Sequence, residues 1–257
     1  MMTQFLKKAA AGIAAGMMLV GAAKAGETLP FDVEVGADLF SHYVWRGLIL
    51  TDEPVLQPSL TLSTCGFSFN VWGSVDMTDI NEDLGPDYRL QELDYTASYG
   101  FTATEGLDVE VGVIQYTFPG TEYKSTREVY GSLALSAVPY VTPSITAYYD
   151  FDQADGWYVS AALDSSFALT EKLGLDLGAS LGFCDDSYSD FYYWGADGGL
   201  SDLNFSAGLS YQVNDMFSVG VSAGYMVLVG NDVKDAAEAN GADTSQFFMG
   251  LSASFAF

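Results

Sequence analysis

The chain of 257 residues carries 34 Asp and Glu against 9 Lys and Arg, a formal charge of −25, yet 49% of its residues are hydrophobic and 14% are aromatic. That charge excludes recognition of nucleic acid or an anionic surface through general electrostatics. A mean hydropathy of +0.16 excludes the disorder that high charge brings to polar chains, so the composition calls for two solvents, water for the charges and lipid for the rings.

Residues 1–25 read as an export signal that is cleaved. Lys7 and Lys8 form a basic start, residues 9–22 a short apolar core, and Ala23-Lys24-Ala25 a small-residue cleavage site, so the mature chain is expected to begin near Gly26. Three of the nine basic residues and none of the acidic ones lie in this segment, which leaves residues 26–257 with a formal charge of −28. They fit one domain, and no later apolar run has the length of a membrane helix.

From residue 31 onward the pattern has period two. It begins at 31–39 (FDVEVGADL), recurs at 67–77, 129–137, 203–213, 217–225 and 249–257, and is strictest at 173–184 (LGLDLGASLGFC). One face is apolar, while the other carries mostly Gly, Ser, Asp and Asn and very little Lys. A soluble sandwich would expose a Lys- and Glu-rich surface, whereas a membrane barrel turns its apolar face to lipid and small polar residues to its interior. Only a closed sheet satisfies every backbone group in lipid.

The predicted fold is therefore all-β: a transmembrane, antiparallel, up-and-down β-barrel over residues 26–257. Short breaks at 64–66, 102–106, 138–143, 170–172 and 213–216 alternate with generally longer acidic connections at 51–54, 80–87, 119–126, 152–156, 185–201 and 230–244. Five short turns and six long loops give about 12 strands, with both termini on the periplasmic side of a bacterial outer membrane. Trp45, Trp157 and Tyr225 are expected at the outer aromatic girdle; Tyr99, Phe101, Phe255 and Phe257 are expected at the periplasmic one. Cys65 and Cys184 then fall at opposite ends of the barrel, about 25 Å or more apart, and should both be free. Residues 232–239 suggest a short external helix capped by Asn231 or Asp232.

Parity assigns the candidate lumen residues. Continuing the first strand through SHYVWRGLIL (41–50) sends Tyr43, Trp45 and Ile49 to lipid and Asp38, Phe40, His42 and Arg46 inward. Gln57, Trp72, Asp76, Glu92, Asp94, Asp164 and Asp176 also point inward, which makes an acidic lumen with Arg46 as its main cation. Arg46 is expected either to pair with Asp38, Asp76 or Glu92 and lock the wall, or to act as a constriction charge. His42, the single histidine, is expected to be a hydrogen-bonded lumen side chain.

The segment SHYVWRGLILTDEPVLQPSL, followed by GFSFNVWGSVD, resembles the opening of a family of porins from Gram-negative bacteria, the TorF-like group. The shared positions are Ser41, Tyr43, Arg46, Gly47, Thr51, Asp52, Pro54, Gln57, Gly66, Phe67, Trp72 and Ser74, within residues 41–76. The resemblance implies a porin-like protein and names no solute.

An enzyme is not expected. A barrel hydrolase needs a nucleophile beside its base, but His42 points inward by parity and there is no G-x-S-x-G. No cofactor is expected. DFDQADG (150–156) lacks the spacing of a calcium loop; Asp185, Asp186 and Asp190 are candidates for a cation on the outer loops, with a plain solvated acidic loop as the alternative. The expectation is an outer-membrane channel for passive diffusion of small solutes, preferring cations. The alternative is a non-conducting barrel, plugged by Phe40, Trp72 and the network of acids around Arg46, that acts as a scaffold or adhesion protein through its loops. Expected partners are outer-membrane lipid and small solutes or ions, with no nucleic acid; homo-oligomerisation stays open.

Overall fold

The computed structural model describes residues 31–78, 89–119 and 121–257. The expected signal at 1–25 and the connection at 80–87 lie outside those residues. The described chain forms 14 strands: β1 (Asp32–Phe40), β2 (Tyr43–Trp45), β3 (Leu48–Thr51), β4 (Val55–Thr64), β5 (Phe67–Asp76), β6 (Leu90–Thr104), β7 (Leu107–Thr117), β8 (Thr126–Leu135), β9 (Thr142–Asp150), β10 (Gly156–Ala168), β11 (Leu173–Cys184), β12 (Gly199–Asn214), β13 (Phe217–Leu228) and β14 (Ser245–Ala256). Two short helices, α1 (Asp186–Tyr192) and α2 (Asn231–Ala239), lie in the long connections.

Twelve strands, β1 and β4–β14, close one antiparallel barrel in which each pairs with its neighbour in sequence. β1 completes the ring by pairing with β14, as Val35 faces Phe255 and Leu39 faces Leu251. The alternation explains the closure. Leu163, Leu177, Phe205, Val221, Met249 and Leu251 stand exposed on the outer surface, and Leu251 keeps 57% of its accessible area. An apolar band of this kind is stable only against an apolar solvent. Residues of the other parity, such as Ser132, Ser206 and Ser254, face inward.

The barrel has a turn end, where the short turns, the start of β1 and the finish of β14 lie, and a loop end with the long connections. Cys65 is in a short turn and Cys184 terminates β11 at the loop end; both thiols are free. Trp157, Tyr225, Tyr99 and Phe101 are exposed near strand ends.

The first strand departs from the period-two expectation. β1 stops at Phe40, and residues 41–54 leave the wall as a separate hairpin, β2–β3, in which Trp45 faces Leu48 across a two-residue turn. Arg46 (φ 46°) and Gly47 (φ 80°) are both left-handed, as a tight hairpin turn requires. The hairpin folds into the barrel. Tyr43 is buried against Trp72, with ring centroids 5.4 Å apart, and Trp45 packs on Tyr116 and Tyr192, so neither faces the outside and Trp45 does not belong to an aromatic girdle. Parity holds only while a chain stays in the ladder, and here it leaves one turn earlier than its hydrophobicity suggests. α2 also starts differently: its N-cap is Gly230, and no side chain caps it.

Candidate functional site

The site is the interior of the loop end. The β2–β3 turn carries the Arg46 guanidinium into a ring of wall residues. Arg46 makes a two-pronged ion pair with Glu128 of β8, Nη1 to Oε1 and Nη2 to Oε2, both 2.8 Å. Nη1 also donates to the Tyr188 hydroxyl at 2.7 Å. The expected partners Asp38, Asp76 and Glu92 are therefore replaced by Glu128. The reason is reach, because the tight turn throws the guanidinium across the lumen and away from the strands beside β1.

Aromatic faces enclose the cation. The guanidinium carbon lies 4.0 Å from the Tyr148 ring centre, 4.6 Å from Trp45 and 4.7 Å from Tyr158. Cation–π attraction grows when water is excluded, and here the Arg46 side chain is 10% exposed and Glu128 fully buried. The Tyr116 hydroxyl donates to Glu128 at 2.9 Å.

α1 and the residues after it complete the filling. Asp185 caps α1 by accepting from the Tyr188 N–H, and Asp186 accepts from the Gly198 N–H. Tyr188 and Tyr193 are fully buried; Tyr192 donates to Asp150, and the Tyr193 hydroxyl bonds the Arg46 carbonyl. Burial pushes the hydroxyls of Tyr188 and Tyr193 above the usual phenol range, so they remain protonated donors. Gly156 lets α1 approach the wall, because a side chain there would strike the backbone of Tyr188. Gly47 has a similar role at the hairpin tip, where an added Cβ would come within 2.7 Å of Asp202 and 2.8 Å of Leu228. Leu48, Tyr158, Cys184, Tyr188, Tyr193, Leu228 and Val233 then form one buried apolar cluster.

The expected site residues divide into three groups. Tyr43 of the hairpin bears on Trp72, Glu92 and Asp94, which line the wall beside it; Gln57 and Asp76 are buried there as well. Asp76 accepts from the N–H and hydroxyl of Thr78. His42 sits at the rim, 2.9 Å from the Ser41 hydroxyl and 3.0 Å from the Gln246 amide nitrogen. Asp164 and Asp176 lie lower, Asp38 is level with Gln57, and none of the three is brought to Arg46: Asp38 faces Gln57, Asp164 faces Gly178, and Asp176 accepts from Ser166 at 2.6 Å. At the turn end the lumen opens into a cavity of about 370 Å³ lined by Asp32, Glu34, Thr61, Ser63, Asp215 and Phe257 among others.

Of the loop acids, Asp185 is spent on capping α1 and Asp186 on the Gly198 N–H, and Asp190 is exposed on α1. Among the described residues no group of three or more His, Cys, Asp or Glu side chains converges as a metal site. Sequence reasoning missed Glu128, Tyr148, Tyr158 and Asp202. The signal was there: Val129, Val159 and Leu203 are apolar strand residues, so Glu128, Tyr158 and Asp202 beside them point inward by the same parity. Tyr188, in a loop, gave none.

The fold is that of the outer-membrane porins. The KdgM porin aligns with a TM-score of 0.53 at 10% identity over 88% of this chain and 99% of its own. An outer-membrane channel from Pseudomonas putida F1 aligns with a TM-score of 0.54 at 11% identity over 90% and 97%, and the NanC porin with 0.52 at 13% over 88% and 98%. Within that architecture, the sequence belongs to the family described as bacterial protein of unknown function (Gcw_chp), matched over residues 24–249. No curated protein matches it.

Proposed function

We propose that the chain is an outer-membrane channel for small solutes, preferring cations, whose mouth is closed at rest by its own first loop. The observation that carries this reading is the division of the lumen. Folded-in hairpin 41–54 and α1 fill the loop end, while towards the turn end Asp164 and Asp176 are exposed on the wall and Asp32 and Glu34 line an open cavity. Acidic side chains in a confined aqueous passage lower the energy of a cation and repel anions. The porin fold of KdgM, NanC and the Pseudomonas channel supports passage, and so does the likeness of residues 41–76 to the TorF-like porins. KdgM has been seen with disordered oligogalacturonate, a polyanion; the acids of this lumen make such a solute a poor candidate here. On this reading the termini and short turns are periplasmic, and a cleaved signal at 1–25 delivers the chain.

One observation favours a second reading. The loop-end filling is as tight as a protein core, with Tyr188, Tyr193, Met226 and Glu128 fully buried, which suits a non-conducting barrel that works through its loops. Planar-bilayer conductance under a KCl gradient decides between the two. The channel reading expects discrete, cation-selective openings, more frequent once residues 42–53 are replaced by a short Gly-Ser turn. Flat traces from both proteins, each shown to be folded by its heat-modifiable gel mobility, would leave the loop-binding barrel in its place.

A further inference from the structure

Glu92 and Asp94 are two residues apart on β6, so both point into the lumen, and their carboxyl groups lie within hydrogen-bonding reach of each other. They are 6% and 9% exposed, and neither takes part in the two ion pairs found among the described residues. Arg46 is held bidentately by Glu128 and is not available to them. Ser74, fully buried, faces Glu92 directly across the β5–β6 ladder, and Trp72 faces Asp94. Ser74 Oγ and Asp94 Oδ1 are both cut off from solvent and without a hydrogen-bond partner. Buried polar groups are nearly always satisfied, so two orphan oxygens beside a buried pair of acids point to a ligand.

We propose that Glu92, Asp94 and Ser74 form a binding site for a divalent hard cation of the calcium class. A single shared proton would leave one buried negative charge and bring no partner to Ser74 Oγ. One divalent ion neutralises two carboxylates and accepts every free oxygen, and an all-oxygen set selects a hard cation. Gln57, buried on the neighbouring β4, offers a further side-chain oxygen on the same inner face. The Tyr43 hydroxyl reaches Glu92, so the ion would sit against the base of the hairpin. The site rests on the geometry of the wall and does not require the barrel to conduct.

Terbium luminescence tests this on the refolded full barrel in detergent, because Trp72 lies beside the site and can sensitise a bound Tb³⁺. The expected result, with excitation at the red edge where tryptophan absorbs and tyrosine does not, is one saturable emission displaced by Ca²⁺, abolished in Trp72→Phe and retained in Trp194→Phe, which alters a loop. Asp94→Asn should weaken binding by about tenfold or more and Ser74→Ala by a smaller factor. Should Asp94→Asn fail to fold, Ser74→Ala and the effect of Ca²⁺ against chelator on wild-type melting decide the question in its place. Emission that survives both Trp72→Phe and Asp94→Asn would place the ion on the acidic loops and overturn the proposal. Absence of any Ca²⁺-displaceable emission would overturn it too, in favour of a pair neutralised by a proton.

Discussion

The two ends of this lumen are built on the same twelve strands and the same alternation, yet they are different kinds of interior. At the loop end, Arg46 and Glu128 are paired, the hydroxyls of Tyr116, Tyr188 and Tyr193 have partners, and Tyr188, Tyr193 and Glu128 are sealed from water. At the turn end, Asp164 and Asp176 are exposed among Gly and Ser, and the lumen opens into a water-accessible cavity. The difference lies in what the loops contribute. A barrel of this size leaves room that its own small residues do not fill, so whichever connection folds inward decides whether that room is core or passage.

The strongest way to break the contrast is to remove the inserted element. Replacing residues 42–53 with a Gly-Ser turn should leave the barrel closed, since β1 pairs β4 and β14 without the hairpin. Conductance through the loop end should rise by about an order of magnitude, read as single-channel steps in planar bilayers. Next in size is the buried ion pair. Arg46→Met leaves Glu128 charged, buried and without a counter-charge, a loss of roughly 3–5 kcal/mol, whereas adding Glu128→Leu should recover most of it. Hydrogen exchange should place that loss in the hairpin and α1, with the amides of β11–β13 unchanged; equal acceleration throughout the barrel would mean that the pair supports the wall and not the plug.

Much of this was legible in the sequence. Period-two alternation, six long and five short connections, and apolar strands free of Lys give the strand number and the closure, because those patterns reflect contact with two solvents. Residues 41–54 were not legible in the same way. Tyr-Val-Trp and Leu-Ile-Leu satisfy strand propensity equally well in the wall or in an inserted hairpin, and the Arg46-Gly47 turn is the one local sign that the chain reverses. Arg is an uncommon residue at positive φ, and the ion pair with Glu128 offsets that strain. The partners themselves lie 82 and 142 positions away in sequence, beyond any local rule.

The turn itself offers a subtler test. Gly47→Ala changes one methyl, yet it strains a φ of 80° and meets the side chains of Asp202 and Leu228. A loss of about 1–3 kcal/mol in the stability of the loop-end filling is expected, with more frequent channel openings and an unaltered barrel melting temperature. Gly131 has no heavy atom within 4 Å of an added Cβ, so Gly131→Ala serves as the silent control.

The smallest effect on stability should come from the turn end, and there it sharpens the comparison. Asp164 and Asp176 are exposed to the lumen, so Asp164→Asn with Asp176→Asn should change unfolding by no more than about 0.5 kcal/mol. Their charge should still matter to a passing ion, because a narrow passage with low-dielectric walls focuses the field of each carboxylate. In the hairpin-deleted barrel the double substitution should move the KCl reversal potential toward zero at low salt, and less so at about 1 M, where screening shortens the field to about 3 Å. A reversal potential untouched by both substitutions would assign selectivity to the buried acids of the loop end, Glu92, Asp94 and Glu128, and would make the open half a vestibule with no part in choosing the ion.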